Sequence, residues 1–328
     1  MSLVTQDAAG LVDSMEAGSP APPGPGPGAS LLAALAYADL FDYPLTLQEL
    51  ARYQVGTAFP TAALEASLQS DPMLAESISR SDGFYSLRGR EGVFETRRAR
   101  RRAAGKVWRR ARLYARLIAR LPYVRMVAVT GALAVDNIAE RPDIDLMIVA
   151  RPGRVWLCRR SIIVNVRAAR LFGDDLCPNY ILSEDNLHLD QRDFFTAHEL
   201  AQMVPLHGTY VYHRLLHANP WANGYLPQAF STLPQAQPRQ RISPVRSGVE
   251  ALFRHRAFDG WERWELQRLQ AKLRPSIGDA AEVVCSPAQC KGHTGFHRQS
   301  VMARYRNRLQ ELGLYEGFAP LLDGGANA

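Results

Sequence analysis

Residues Gly131–Val149 read GALAVDNIAERPDIDLMIV. Two aspartates, Asp143 and Asp145, stand one residue apart inside a run that is otherwise strand-forming and apolar. Side chains alternate faces along a strand, so Asp143 and Asp145 share one face while Ile144, Leu146 and Ile148 take the other. The two Cα atoms then lie roughly 6.5–7 Å apart. Two carboxylates held side by side repel unless a cation sits between them or both face water. A Mg²⁺ ion bound through one or two carboxylates and a substrate's phosphates satisfies that geometry. Upstream, VRMVAVTG is a β-branched strand that closes on Gly131. A glycine at a strand end lets backbone approach a ligand closely, and N–H groups at a helix start attract phosphate. Strand, glycine, short helix and a strand bearing Asp-x-Asp together describe a site for a metal-bound nucleoside triphosphate. The plainer alternative is a strand end whose two charges face solvent.

Working outward, the totals describe an ordinary globular chain. Its 328 residues predict more than one domain, and 47% hydrophobic with 22% charged residues is typical of a water-exposed fold. No window has the ~18 uninterrupted apolar residues of a membrane span, and no basic region precedes an apolar core at the N-terminus. Four cysteines, Cys158, Cys177, Cys285 and Cys290, suit a reducing compartment, so the expected location is cytoplasmic. The net charge of +7 is concentrated in one segment. Residues 91–120 hold ten Arg and one Lys against two Glu, which leaves the rest of the chain slightly acidic.

The expected organisation follows from composition and period. Residues 1–29 form a Pro/Gly-rich disordered leader, ending in SPAPPGPGPGAS. Residues 30–92 carry three short helices and a hairpin. The second helix starts from Thr46 with Glu49 as its capping-box partner, the third starts from Thr61, and Ser81-Asp82-Gly83 is the hairpin turn. That order is winged-helix-like. Residues 93–120 form a basic amphipathic helix with Val107, Ala111, Tyr114, Ile118 and Leu121 on its apolar side. Residues 121–218 form the α/β core, with a third strand over 176–185 and helices over 190–217. Residues 219–244 are a Pro/Gln-rich linker, and 245–328 are mostly helical.

Gly131-Ala132, the spacer and Asp143-Ile144-Asp145-Leu146 resemble the polymerase-beta-like nucleotidyltransferases, particularly the minimal ones. The pattern in that family is Gly-Ser, a short spacer, then Asp-x-Asp on the next strand. The resemblance covers about 121–185, and the order of winged helix, basic helix and core also resembles a group of bacterial proteins. It implies an α+β fold with a mixed sheet and flanking helices. It further implies an NTP substrate with Mg²⁺ or Mn²⁺ held by Asp143 and Asp145, and nucleotide contacts from Thr130, Gly131 and Ala132. Transfer would be to an acceptor the sequence does not name. Two positions depart from the pattern. Ala132 stands where the family has Ser, and the third carboxylate's place on the strand 176–183 falls to Asn179, with Glu184 and Asp185 as substitutes. Asp143, Asp145 and Asn179 are therefore the expected catalytic set. The alternative expectation is a nucleotide-sensing or interaction module without turnover.

Other segments compete for function. Arg97–Arg120 could bind nucleic acid through phosphate neutralisation, or simply be a solvated helix packed by its apolar side. The third helix, TAALEASLQSD, has no Arg or Lys, which argues against a major-groove reader. Cys285, Cys290, His293 and His297 have the ligand types for Zn²⁺ but not the spacing of a zinc finger. Alternatively, Lys291, His293 and His297 form a basic patch beside the nucleotide. His198-Glu199 opens like a zincin motif, but Gln202 replaces the second ligand.

Overall fold

The computed structural model describes residues 25–231, 244–252, 257–273, 283–292 and 297–324. The N-terminal elements are α1 (Pro27–Asp39), β1 (Leu45–Thr46), α2 (Leu47–Arg52), α3 (Thr61–Ser70), α4 (Pro72–Ser77), β2 (Ile78–Ser81), β3 (Phe84–Leu87) and the 27-residue α5 (Val93–Ala119). Next come β4 (Val124–Val129), α6 (Gly131–Ala134), β5 (Asp143–Ala150), α7 (Val155–Leu171), β6 (Asp175–Ser183), α8 (Phe194–Gln202), β7 (Val204–His207) and α9 (Thr209–His217). The C-terminal elements are α10 (Ala222–Tyr225), α11 (Pro227–Phe230), α12 (Pro244–Leu252), α13 (Ala257–Leu273), β8 (Val283–Ser286), β9 (Gln289–Gly292), α14 (His297–Glu311) and α15 (Tyr315–Asp323). The chain is thus a mixed α/β protein, and no described helix is long and apolar enough to cross a membrane.

Local chemistry sets the N-terminal elements. Thr46 Oγ1 accepts the Glu49 N–H at 3.2 Å while Glu49 Oε2 accepts the Thr46 N–H at 2.8 Å, a reciprocal cap on α2. Asp82 and Gly83, both with positive φ, turn β2 into β3, and β1 adds to β3 to give a small sheet in the order β1-β3-β2. Helix α1 begins at Pro27 rather than Ser30, because proline suits the first helical turn. The leader expected over 1–29 otherwise lies outside the described residues.

The central sheet has the order β7-β4-β5-β6-β9-β8. Strand β5 runs parallel to β6 and antiparallel to β4, while β9 closes antiparallel on β6. Alternation along β5 sorts its residues as the sequence predicts. Ile144, Leu146 and Ile148 join one core with α5, α7 and Leu269 of α13, and Met147 and Val149 join the other with α1, α8 and α14. Asp143 and Asp145 therefore share the α1/α8 side, at the beginning of the strand.

Two expectations for the elements are corrected. Strand β7 interrupts the helices expected over 190–217. It is four residues long, contains Pro205, and lies at a sheet edge where a missing N–H costs little. Residues 219–231, expected as linker, instead hold α10 and α11, with Ala222, Tyr225, Leu226 and Ala229 buried; residues 232–243 lie outside the described residues. The C-terminal region, expected to be mostly helical, is so among the described residues through α12, α13, α14 and α15, and it also supplies β8 and β9 to the central sheet, where Cys290 pairs with Ile181.

Candidate functional site

Strand β4 is followed by Thr130, whose N–H donates to the Asp145 carbonyl at 3.1 Å. The chain then turns through Gly131 at φ +65, a left-handed conformation that glycine adopts without strain. A β-carbon built at position 131 would meet Asp145 Oδ2 at 2.5 Å. The glycine thus admits the carboxylate into the turn, and Ala132 follows it into the single helical turn of α6.

Asp145 and this turn form the floor of a cavity of about 570 Å³, lined also by Thr130, Ala132 and Asn179. Asn179 reaches the cavity through an irregularity in β6. Asp145 pairs with Cys177 but Met147 pairs with Tyr180, so β6 carries one extra residue at Pro178-Asn179. Because of that bulge, the successive residues Asn179 and Tyr180 both line the cavity, which a regular strand does not permit. Asn179 Nδ2 donates to Thr130 Oγ1 at 3.3 Å, tying β6 to the turn after β4.

The cavity also gathers polar and charged residues from distant segments, of which Lys291 and His297 were expected beside the nucleotide only as an alternative and Glu199 and Arg298 were not expected there. Glu199, on α8, lines it opposite the strand floor, and Lys291, His297 and Arg298 line it from the C-terminal region. Lys291 hydrogen-bonds Gln191, and Arg298 pairs with Asp193. Aromatic residues of the N-terminal elements, Tyr37, Phe41, Tyr43 and Tyr53, complete the wall. His198, the neighbour of Glu199, also borders the cavity but is a buried, packed residue. It stacks on Tyr37 at 3.9 Å between centroids, contacts the Phe194 carbonyl through Nδ1, and burial pulls its pKa down to about 3.

Electrostatics mark Asp145 as incompletely satisfied. Its Oδ1 is buried and has no hydrogen-bond partner among the described residues. Burial, then the charges of Asp143 and Glu199, push its carboxyl up to about 7, offset only in part by a hydrogen bond with the Cys177 thiol. Glu199 is likewise raised to about 7 by burial, with Lys291 opposing. A proton or a cation would relieve such a carboxylate. Asp143 is exposed at the start of β5, on the same face. Among the described residues no three His, Cys, Asp or Glu side chains gather into a metal-binding group. The carboxylates that line the cavity are those of Asp145 and Glu199, and Asp143 is not among its lining residues.

Other sequence candidates sit elsewhere. Glu184 is buried and pairs with Arg214 at 2.9 Å and with Arg125 at 3.7 Å, and Asp185 accepts from Ser183, so neither replaces a third carboxylate. Cys285 and Cys290 face each other across β8–β9, while His293 lies outside the described residues. The basic helix α5 spends part of its charge internally. Arg97 is buried, 2.8 Å from Glu49 and 3.7 Å from the Tyr43 ring centroid. Arg98 pairs with Asp82, and Arg100 donates to the Phe41 carbonyl and to Asn137, each at 3.0 Å. Arg101, Arg109, Arg112, Arg116 and Arg120 remain exposed.

Glu199 was legible only in part. The His198-Glu199 pair is conspicuous in sequence, but nothing in its spacing from Asp145 indicates that α8 folds over the start of β5. Comparison with protein families, with curated proteins and with solved structures returns no match for this chain.

Proposed function

We propose that this chain is a polymerase-beta-like nucleotidyltransferase that binds an NTP with Mg²⁺ in the cavity over Asp145. The observation that carries this reading is the buried, unpartnered Asp145 Oδ1 beside a glycine turn that leaves no room for a side chain. Asp143 and Asp145 would hold the metal, and Gly131 and Ala132 would present backbone to the phosphates. Bound Mg²⁺ would neutralise charge on the triphosphate and on the departing pyrophosphate. Lys291 and Arg298 add positive charge to the same cavity. Glu199, which lines the cavity, would take the proton from an acceptor hydroxyl, a role the Asn179 amide cannot fill. Asn179 acts as a positioning residue through Thr130 Oγ1.

In this reading the winged-helix-like N-terminal unit is not a base reader. Its third helix lacks Arg and Lys, and its tyrosines Tyr37, Tyr43 and Tyr53 face the cavity, where they offer stacking surface to a base or acceptor. Nucleic acid would contact only the exposed arginines of α5.

A second reading, a nucleotide sensor without turnover, is favoured by one observation: the expected third carboxylate is Asn179, whose amide is engaged with Thr130. Labelled NTPs, Mg²⁺ and candidate acceptors separate the two. Pyrophosphate release that is lost in Glu199→Gln, with nucleotide binding intact, supports the enzyme. Binding without release supports the sensor.

A further inference from the structure

Cys285 and Cys290 are directly opposed in the β8–β9 hairpin, whose turn is the two residues Pro287-Ala288. The pair next to that turn is Ser286 with Gln289. In an antiparallel ladder, hydrogen-bonded and non-hydrogen-bonded pairs alternate, and a two-residue turn is flanked by a hydrogen-bonded pair. The next pair out, Cys285 with Cys290, is therefore non-hydrogen-bonded, with side chains at their closest and Cα atoms about 4.5 Å apart. A disulfide spans Cα separations of about 4.4–6.8 Å, so the strands need not move to accept one.

The hairpin is also held in place. Trp156 Nε1 donates to the Ser286 carbonyl at 3.0 Å and Gln270 Nε2 to the Cys285 carbonyl at 2.9 Å, while β9 is paired to β6 on its other side. The two thiols differ in chemistry. Cys285 is half-buried, and a hydrogen bond from the Cys290 thiol, helped by the Arg159 guanidinium, brings it down to about 7. Cys290 is buried and pushed up. The other cysteines are poor nucleophiles: Cys158 is fully buried, Cys177 lies beside Asp145, and each is raised to about 12, chiefly by burial.

We propose that Cys285 and Cys290 form a redox-active dithiol whose oxidation closes a cross-strand disulfide over the β8–β9 hairpin. With a low-molecular-weight disulfide such as glutathione disulfide as oxidant, the Cys285 thiolate attacks one sulfur. The glutathione S–S bond breaks, a mixed disulfide forms on Cys285, and one glutathione thiolate leaves and takes up a proton. Cys290 then loses its proton and attacks Cys285 Sγ, releasing the second glutathione. Two protein thiols are oxidised, and one glutathione disulfide is reduced to two thiols. The bond staples the sheet edge that presents Lys291 to the cavity. It does so whether or not a nucleotide binds there.

The test equilibrates the full chain across reduced-to-oxidised glutathione ratios, alkylates free thiols under denaturing conditions, digests with trypsin and reads masses. No Lys or Arg lies between Pro275 and Gln289, so both cysteines fall on one peptide. The expected result is that oxidising buffer leaves this peptide unalkylated and lighter by two hydrogens, while Cys158 and Cys177 are alkylated. Cys290→Ser should accumulate one glutathione on Cys285, because the resolving thiol is gone. Alkylation of both cysteines at every ratio would overturn the proposal. So would an unresolved glutathione adduct on Cys285 in the wild type, or a bond from either cysteine to another chain.

Discussion

Gly131 and Asp145 approach so closely that a β-carbon at position 131 would stand 2.5 Å from Asp145 Oδ2. The contact joins the end of β4 to the start of β5 and fixes where the carboxylate sits. Gly131→Ala must both strain a positive φ and displace the carboxylate. We expect a loss of about 2 kcal/mol in stability, measured by denaturant unfolding, and weaker nucleotide binding. Unchanged stability and binding would mean that the turn has room the structure does not show.

Ala132→Ser should act in the opposite sense. A hydroxyl at the position where the resembled family carries one adds a donor to the phosphates. The expected gain is about 1 kcal/mol, or roughly fivefold in affinity, read by calorimetric titration with an NTP and Mg²⁺. No gain would remove Ala132 from the phosphate site.

Stability without metal should depend on pH through Asp145 and Glu199. Both carboxyls are raised to about 7 in the fold from ordinary values of 3.8 and 4.5. The folded chain therefore keeps protons that the unfolded chain has released, and its stability falls as pH rises from about 4 to about 7. Asp145→Asn removes its share of that slope. It should be more stable than wild type by about 4 kcal/mol at pH 8, and equal to it near pH 4. Chelator-treated protein followed by thermal unfolding across this range checks both signs.

Arg97 should behave differently from the arginines that follow it. Its substitution by Ala strands Glu49, which also caps α2 and accepts the Tyr43 hydroxyl at 2.6 Å. A cost of about 3 kcal/mol is expected for breaking such a buried pair. Neutralising Arg109, Arg112 and Arg116, all exposed, should leave the melting temperature unchanged and remove any salt-sensitive nucleic-acid binding.

Much of the site's floor was legible because it is local. The capping box at Thr46–Glu49, the Asp82-Gly83 turn and the two faces of β5 follow from residues within a few positions of each other. So does the closeness of Gly131 to the Asp-x-Asp strand. What escaped, as Glu199 did, or stood only as an alternative, as Lys291 did, depends on long-range packing. Glu199 reaches the cavity because α8 crosses the sheet face, and Lys291 because β9 pairs with β6 more than a hundred residues earlier in the chain. Asn179 lines the cavity through a bulge at Pro178-Asn179, which plain alternation along the strand does not anticipate. Arg97 read as part of a basic surface, because charge in sequence does not reveal a carboxylate forty-eight residues away.

The central claim, a nucleotide–metal site at Asp143 and Asp145, meets its most direct test in calorimetric titration of an NTP with and without Mg²⁺, comparing wild type with Asp143→Ala/Asp145→Ala. Binding in the wild type that requires Mg²⁺ and is lost in the double variant is the predicted result. Equal heats in all four conditions would contradict it.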